Sequence, residues 1–272
     1  MSAPTVETPG PATRSDGTGR AATRPVRTPA GVFGLRLLGL VGVLVLVGGG
    51  AASLVVGFFE TGREQTGSFT ARVEVVDVDS DVGRVAVRVG DPGSATTVTT
   101  RQRWSVTEPR VSSSVAGRTA TLRGRCDGGW FLLGRCSVSY DLTVPPGTVL
   151  RLTTTTGSID VVGADADITA RTATGSIEMS ALRAGRVTAD AATGSVVLRF
   201  AKAPTEVRAR AATGSVEVRV PDDGATYRLT ASSAVGGRQV LVPQDPRSSR
   251  VIDATTAVGS VVVATTGAQV PG

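Results

Sequence analysis

A short glycine-centred pattern recurs through the second half of the chain and limits what the chain can fold into. Four of the glycines stand in Thr-Gly-Ser triplets followed by isoleucine or valine, and three further copies match the flanking pattern more loosely. The glycines of these copies are Gly83, Gly157, Gly175, Gly194, Gly214, Gly236 and Gly259. A fixed-register repeat of about 20 residues is typical of stacked architectures, in which each unit needs its neighbours to bury its apolar face.

The residues on either side of each glycine alternate between apolar and polar. In the copy centred on Gly175, Ile168 and Ala170 precede the glycine on one face, and Ile177 and Met179 follow it on the same face. A period of two predicts a β-strand with one buried face. The pattern therefore predicts a strand, a tight turn and a second strand in each copy. We expect the glycine to adopt a positive φ, which is unfavourable for a residue with a Cβ.

Two arrangements satisfy this pattern: a β-solenoid with parallel ladders between units, and an antiparallel meander of hairpins. The solenoid is favoured because like residues recur at like positions, so that equivalent side chains stack directly. We predict an all-β fold, a solenoid of about six to seven short rungs. Residues 90–149 break the register while still alternating, for example at Val138 and Tyr140. We interpret them as an antiparallel β insertion that caps the stack and protects its open edge.

The N-terminal quarter has a different character. Residues 37–59 carry no charge and are long enough to cross a bilayer of about 30 Å, which predicts one transmembrane helix. Residues 1–36 contain several arginines and no apolar period, which predicts a disordered cytoplasmic tail. The positive-inside rule then leaves residues 60–272 as one extracytoplasmic domain. The alternative is a cleaved signal peptide, with small residues at 51–53 as the cleavage site.

Two cysteines agree with an exported domain. Cys126 and Cys136 enclose a short glycine-containing loop, and outside the cytoplasm such a pair is expected to form a disulfide. The loop also carries Trp130 and Phe131. These aromatic side chains either seal the cap or form a contact surface.

Several kinds of chemistry are missing from the sequence. There is no histidine, which removes histidine-activated nucleophiles and histidine metal ligands. The glycines do not follow the spacing of dinucleotide-binding or phosphate-binding loops. The net charge of +6 is not organised as a basic stripe with aromatic residues, so nucleic acid is not an expected partner. We expect no catalytic residue, no cofactor and no bound metal.

Carboxylates supply the remaining candidates. Asp160 and Glu178 occupy the same position in successive units and would lie side by side, either as part of a contact surface or as a glycosidase pair. Calcium at Asp165, Asp167 or residues 222–223 is disfavoured, because calcium needs six to eight oxygen ligands and the calcium-binding nonapeptide of β-rolls is absent.

The Thr-Gly-Ser units, the VPPG at residues 144–147 and the Cys126–Cys136 segment resemble a known bacterial family. It is the putative-adhesin β-strand-repeat family, a domain of unknown function, in its membrane-anchored, actinomycete-type form. The resemblance covers about residues 68–265. It implies a right-handed β-solenoid-like fold at the cell surface without catalytic residues, and related proteins are implicated in envelope-stress signalling.

These observations favour a non-enzymatic, membrane-anchored module that binds or scaffolds at the cell surface. Its partners would be the membrane, through a single-pass anchor, and a cell-wall polysaccharide or an envelope protein. One alternative is an envelope-stress sensor that signals through the cytoplasmic tail. The other is a carbohydrate-active enzyme that uses Asp160 and Glu178.

Overall fold

The computed structural model describes residues 61–69, 72–126 and 135–268, which form nineteen β-strands in two sheets. In chain order the strands are β1 Thr61–Phe69, β2 Val75–Val82, β3 Val85–Val89, β4 Thr96–Trp104, β5 Arg110–Ala116, β6 Thr119–Arg125, β7 Cys136–Val144, β8 Val149–Thr156, β9 Ile159–Val162, β10 Ile168–Thr174, β11 Ile177–Leu182, β12 Arg186–Thr193, β13 Val196–Phe200, β14 Glu206–Thr213, β15 Val216–Val220, β16 Arg228–Val235, β17 Arg238–Leu241, β18 Val251–Val258 and β19 Val261–Thr265.

The all-β prediction is confirmed for this part of the chain. None of its residues belongs to a helix that is long and apolar enough to span a membrane. The predicted tail at residues 1–36 and the predicted transmembrane helix at residues 37–59 lie outside the described residues.

The strands before the glycines and the strands after them fall into different sheets. Sheet A has ten strands in the order β1-β4-β7-β3-β9-β11-β13-β15-β19-β17. Sheet B has nine strands in the order β16-β18-β14-β12-β10-β8-β2-β6-β5. Each glycine therefore marks the point where the chain turns from sheet B into sheet A.

Successive units pair in parallel and in register. Ala170 of β10 lies beside Leu152 of β8 on one side and Ala189 of β12 on the other. In sheet A, Ile177 of β11 lies beside Ile159 and Val196 in the same way. Equivalent residues thus stack directly on one another, and the units do not form the antiparallel meander of hairpins.

The inward residues of both sheets form one apolar core. The positions seven and five residues before each glycine, and two and four after it, are buried in nearly every unit. The exceptions lie in the unit of Gly236, where Leu229 and Val240 are only partly buried. Burial of such columns stabilises the fold by about 25 cal/mol for each Å² of apolar surface removed from water.

The glycine turns also stack, and their spacing leaves no room for a side chain. A Cβ added to Gly194 would lie 1.9 Å from the carbonyl oxygen of Gly175, and φ at Gly194 is +134°. The same contact recurs along the column, down to Gly83, where the nearest carbonyl belongs to Val138. The predicted positive φ is confirmed, and the close approach of neighbouring backbones is a second reason for glycine.

The last two units are not stacked in chain order. Strands β18 and β19 lie between the pair β14 and β15 and the pair β16 and β17. After β15 the chain thus leaves the next position in the stack empty and forms the end unit around Gly236. The unit around Gly259 then fills that position. The skip explains why the linkers that precede β16 and β18 are the longest in the repeat.

The segment at residues 90–149 is only partly antiparallel, and this corrects the predicted cap. Strand β4 pairs antiparallel with β7 and β1, and β5 pairs antiparallel with β6. However, β6 pairs in parallel with β2, and β7 pairs in parallel with β3. The reason is that the buried residues Leu122, Tyr140 and Leu142 continue the core columns of the glycine units.

Candidate functional site: a cleft between the sheet ends

The carboxylates singled out from the sequence lie on the outer face of sheet A. Glu178 and Asp160 are register partners on β11 and β9. Each is held by an arginine: Asp160 by Arg84 at 2.8 Å and Glu178 by Arg199 at 2.7 Å. The arrangement is a ladder of exposed ion pairs, of a kind that contributes little to stability.

Three of the candidate calcium ligands contact protein groups instead. Asp165 accepts a hydrogen bond from the Gly147 backbone N–H at 2.8 Å, and Asp167 forms an ion pair with Arg186 at 3.2 Å. Asp223 accepts a hydrogen bond from the Ala225 backbone N–H at 3.1 Å. Within the described residues no group of three or more acidic, cysteine or histidine side chains could hold a metal ion.

Cys126 and Cys136 form the predicted disulfide, which joins the end of β6 to the start of β7. Arg125 pairs with both Asp79 and Asp81 beside it, and the Cys126 backbone N–H donates to Asp81. The hydrogen bond from Arg125 holds the pKa of Asp79 below its ordinary value. Trp130 and Phe131 lie outside the described residues.

A shallow groove runs across six units on the outer face of sheet B. Its floor is a column of small residues two positions before the glycines, including Ala192 and Ala212, and its volume is about 920 Å³. Arg210 and Asp253 form an ion pair at its side, 2.8 Å apart. The groove is wide open, so a ligand would stay largely exposed to water.

A narrower cleft lies at the opposite end of the stack from β16 and β17. There sheet A ends in β4 and β1, and sheet B ends in β6 and β5. The space between these strand pairs has a volume of about 470 Å³. We call it the end cleft.

Apolar and polar side chains share the lining of the end cleft. Phe69, Val98 and Leu122 form an apolar part that is continuous with the core. Thr100 and Gln102 on β4 also line the cleft, and both are turned inward in register with the buried Tyr140 and Val138 of β7.

Thr100 and Gln102 are polar groups in a position where the rest of the stack places apolar ones. Their exposures are 8% and 4%, and within the described residues neither side chain has a hydrogen-bond partner. The hydroxyl of the neighbouring Tyr140 is also buried without a partner, and burial raises its pKa above the ordinary value. Polar groups of low exposure are normally hydrogen-bonded, so Thr100 and Gln102, which face the cleft, mark a place that a ligand or water can complete.

The charged groups of the end cleft neutralise each other at its mouth. Arg63 of β1 forms an ion pair with Glu108, and its guanidinium lies 5.5 Å from the centre of the Trp104 ring. The two partners belong to opposite sides of the cleft, because β1 is in sheet A and Glu108 lies two residues before β5 of sheet B. The ion pair therefore bridges the two sides of the cleft.

The sequence-based candidates do not include the residues of the end cleft. A signal was available, because Thr96, Val98, Thr100 and Gln102 alternate along β4 and three of these four inward positions are polar. Recognising it requires the strand's register with β7, which the sequence pattern does not supply.

No protein-family model matches the sequence, and no curated protein matches it. Among solved structures, a putative cell adhesion protein from Clostridium sporogenes ATCC 15579 is 10% identical, with a TM-score of 0.38 over 76% of this chain and 100% of that one. A putative adhesin from Bacteroides fragilis NCTC 9343 is 13% identical, with a TM-score of 0.39 over 74% of this chain and 97% of that one.

Proposed function

We propose that this protein is a non-enzymatic, membrane-anchored β-solenoid that acts outside the cytoplasm as an adhesin-like binding or scaffold module. The observation that carries the proposal is the end cleft, which combines an apolar floor with the unpartnered polar side chains of Thr100 and Gln102. Its volume of about 470 Å³ falls within the range of small-molecule sites.

The stacking of the units supports the solenoid part of the proposal. Chain turns at successive glycines link two sheets whose neighbouring strands run in parallel, which is the pairing that a coil of rungs requires. The parallel ladders continue up to the end cleft, where β6 pairs with β2 and β7 with β3, and they fix the positions of its walls. Rigid presentation of a binding site is what a surface module needs.

The charge pattern of the N-terminal region supports the anchor. Only residue 60 separates the uncharged residues 37–59 from β1, and β1 forms one wall of the end cleft. The chain thus provides a short path from a membrane-spanning segment to the candidate site.

The test uses the full chain in intact cells and in isolated cell-wall fractions. We expect protease added outside intact cells to cleave within residues 60–272, and we expect cell-wall material to retain the purified full chain. Protection from external protease together with no retention on cell-wall material would rule the proposal out.

A further inference from the structure

The interior of the stack changes character at the end cleft. In the glycine units other than that of Gly236, the inward positions of sheet A two and four residues after the glycine hold Ile, Val, Leu and Met, all buried. On β4 the same face carries Thr100 and Gln102, and on β1 their register partners are Gln65 and Arg63. Gln102 therefore places a neutral amide at the wall of the cleft, where the glycine units place apolar side chains.

The charged groups of the end cleft disfavour charged ligands. Among the residues that line it, only Arg63 and Glu108 carry charge, and they form an ion pair with each other. A charged ligand would have to compete with that pair or lie unpaired against Gln102 and Thr100. The remaining polar groups are neutral and can both donate and accept hydrogen bonds.

We infer that the end cleft binds a neutral saccharide, with Gln102 and Thr100 as the residues that recognise its hydroxyl groups. Two inward residues separated by one position on a strand lie about 7 Å apart, a spacing that suits hydroxyls at opposite sides of one sugar ring. The apolar face of that ring packs against Phe69, Val98 and Leu122. This inference rests on the proposed function and specifies the ligand class of the same site.

An extended peptide fits the cleft less well. A peptide strand binds through main-chain hydrogen bonds to a free strand edge, and its affinity comes from that ladder. The end cleft is lined by side chains that point inward from β1 and β4, whereas the free ladder groups of β1 lie along its outer edge. Peptide binding is therefore an outcome of the test and not part of the inference.

The experiment is calorimetric titration of the full chain in lipid nanodiscs. The probes are maltotriose and N,N′,N″-triacetylchitotriose as neutral saccharides, trigalacturonic acid as a charged saccharide, and a five-residue Gly-Ser peptide. We expect a neutral saccharide to bind, and the Gln102→Leu and Thr100→Val variants each to weaken its binding about tenfold or more, as expected when a hydrogen-bonding partner is removed from a desolvated site. Gln239→Leu, on β17 at the far end of the stack, is the matched control and should bind as the parent does.

Folding is followed separately. Because both side chains face the cleft and form no hydrogen bond within the described residues, the thermal midpoint of each variant should stay close to that of the parent while binding is lost. A second readout uses a Trp130→Phe background, which leaves Trp104 as the only tryptophan. Its fluorescence should respond to the bound saccharide, because Trp104 contacts Arg63 at the mouth of the cleft.

Several results would overturn the inference. They are a preference for trigalacturonic acid or the peptide, binding that survives both cleft substitutions, and no binding of either neutral probe. Retention of the Gln102→Leu variant on cell-wall material at the parent level would also overturn it while leaving the proposed function intact. Loss of retention by the parent protein itself would instead count against the proposed function.

Discussion

The glycines of the repeat are fixed by two constraints at single residues. Each has a positive φ, and each lies against the backbone of the next unit. Gly194→Ala would place a Cβ 1.9 Å from the Gly175 carbonyl oxygen, so the two levels of the stack would have to separate. We expect a loss of about 3 kcal/mol or more in the free energy of unfolding, measured by urea denaturation. Gly237→Ala is the control, because nothing lies within 4 Å of its added Cβ, and an equal loss in both variants would contradict this explanation.

The two tyrosines make a second test at this scale. Tyr140 and Tyr227 are the only tyrosines in the chain, and both have buried hydroxyls without a partner in the described residues. Burial raises the pKa of both hydroxyls, that of Tyr227 to about 12. The folded state then keeps protons that the unfolded state releases near pH 10, so stability is full below about pH 10 and falls as the pH rises above it.

A spectrophotometric titration checks this directly. Tyrosinate absorbance should not appear near pH 10 in the folded protein and should appear together with alkaline unfolding. Tyr140→Phe and Tyr227→Phe each remove an unpaired buried hydroxyl, and each should raise the free energy of unfolding by about 1 kcal/mol at neutral pH. Ordinary titration of either tyrosine in the folded chain would show that its hydroxyl is not buried.

The sequence predicts which residues of one unit face inward, but it does not predict contacts that depend on which units are neighbours. Alternation predicts that Ile168, Ala170, Ile177 and Met179 face inward, and all four are buried. The close contact between neighbouring glycines depends on which units are neighbours, and alternation within one unit contains no such information. The burial of Gln102 is not predicted for the same reason, because it depends on the partner strand β7.

Among the strands, β6 and β7 are held together by the disulfide as well as by the core. Cys126 and Cys136 close a loop with a sequence separation of 10, which stabilises by about 2–3 kcal/mol in the chain-entropy model. In the double variant Cys126→Ser/Cys136→Ser the free energy of unfolding should fall by about that amount. Hydrogen exchange should show the loss in β4, β6 and β7, with β12 and β14 protected as before.

Chemical reduction of the parent protein is the matched control for this prediction. It breaks the same bond without changing either residue, so it should reproduce both the size and the location of the effect. A loss of protection spread evenly over the stack would show that the disulfide acts on the whole domain and not on its end.

The predicted cap shows where strand-level prediction stops. The alternation in residues 119–144 identifies strands, but the same alternation suits parallel and antiparallel neighbours. The direction of pairing depends on whether the inward side chains continue the core columns of the next unit. Leu122, Tyr140 and Leu142 do so, and their strands therefore join the parallel stack.

In the molecule as a whole, the order of the units departs from the order of the chain. The units around Gly236 and Gly259 carry matching inward residues, for example Leu229 with Ile252 and Ala231 with Ala254. Matching columns allow either unit to stack on β14 and β15, so the pattern cannot specify which one does. Burial favours the observed order, because the unit of Gly259, with Ile252 and Val263 fully buried, is internal, and the unit of Gly236, with Leu229 and Val240 only partly buried, lies at the end.

The observed order predicts which engineered cysteines will meet. The hydroxyl oxygens of Ser215 and Ser260 are 3.0 Å apart, although the residues are 45 positions apart in sequence. Cysteines at both positions should therefore form a disulfide, detected as a linked peptide by mass spectrometry, and its closure should stabilise by up to about 4 kcal/mol. Ser195→Cys/Ser260→Cys is the control pair and should stay unlinked, because a full level of the stack separates these residues. Stacking in chain order would instead bring residue 215 beside residue 237, so efficient linking of Ser215→Cys with Gly237→Cys would show that β18 and β19 do not lie between β14–β15 and β16–β17.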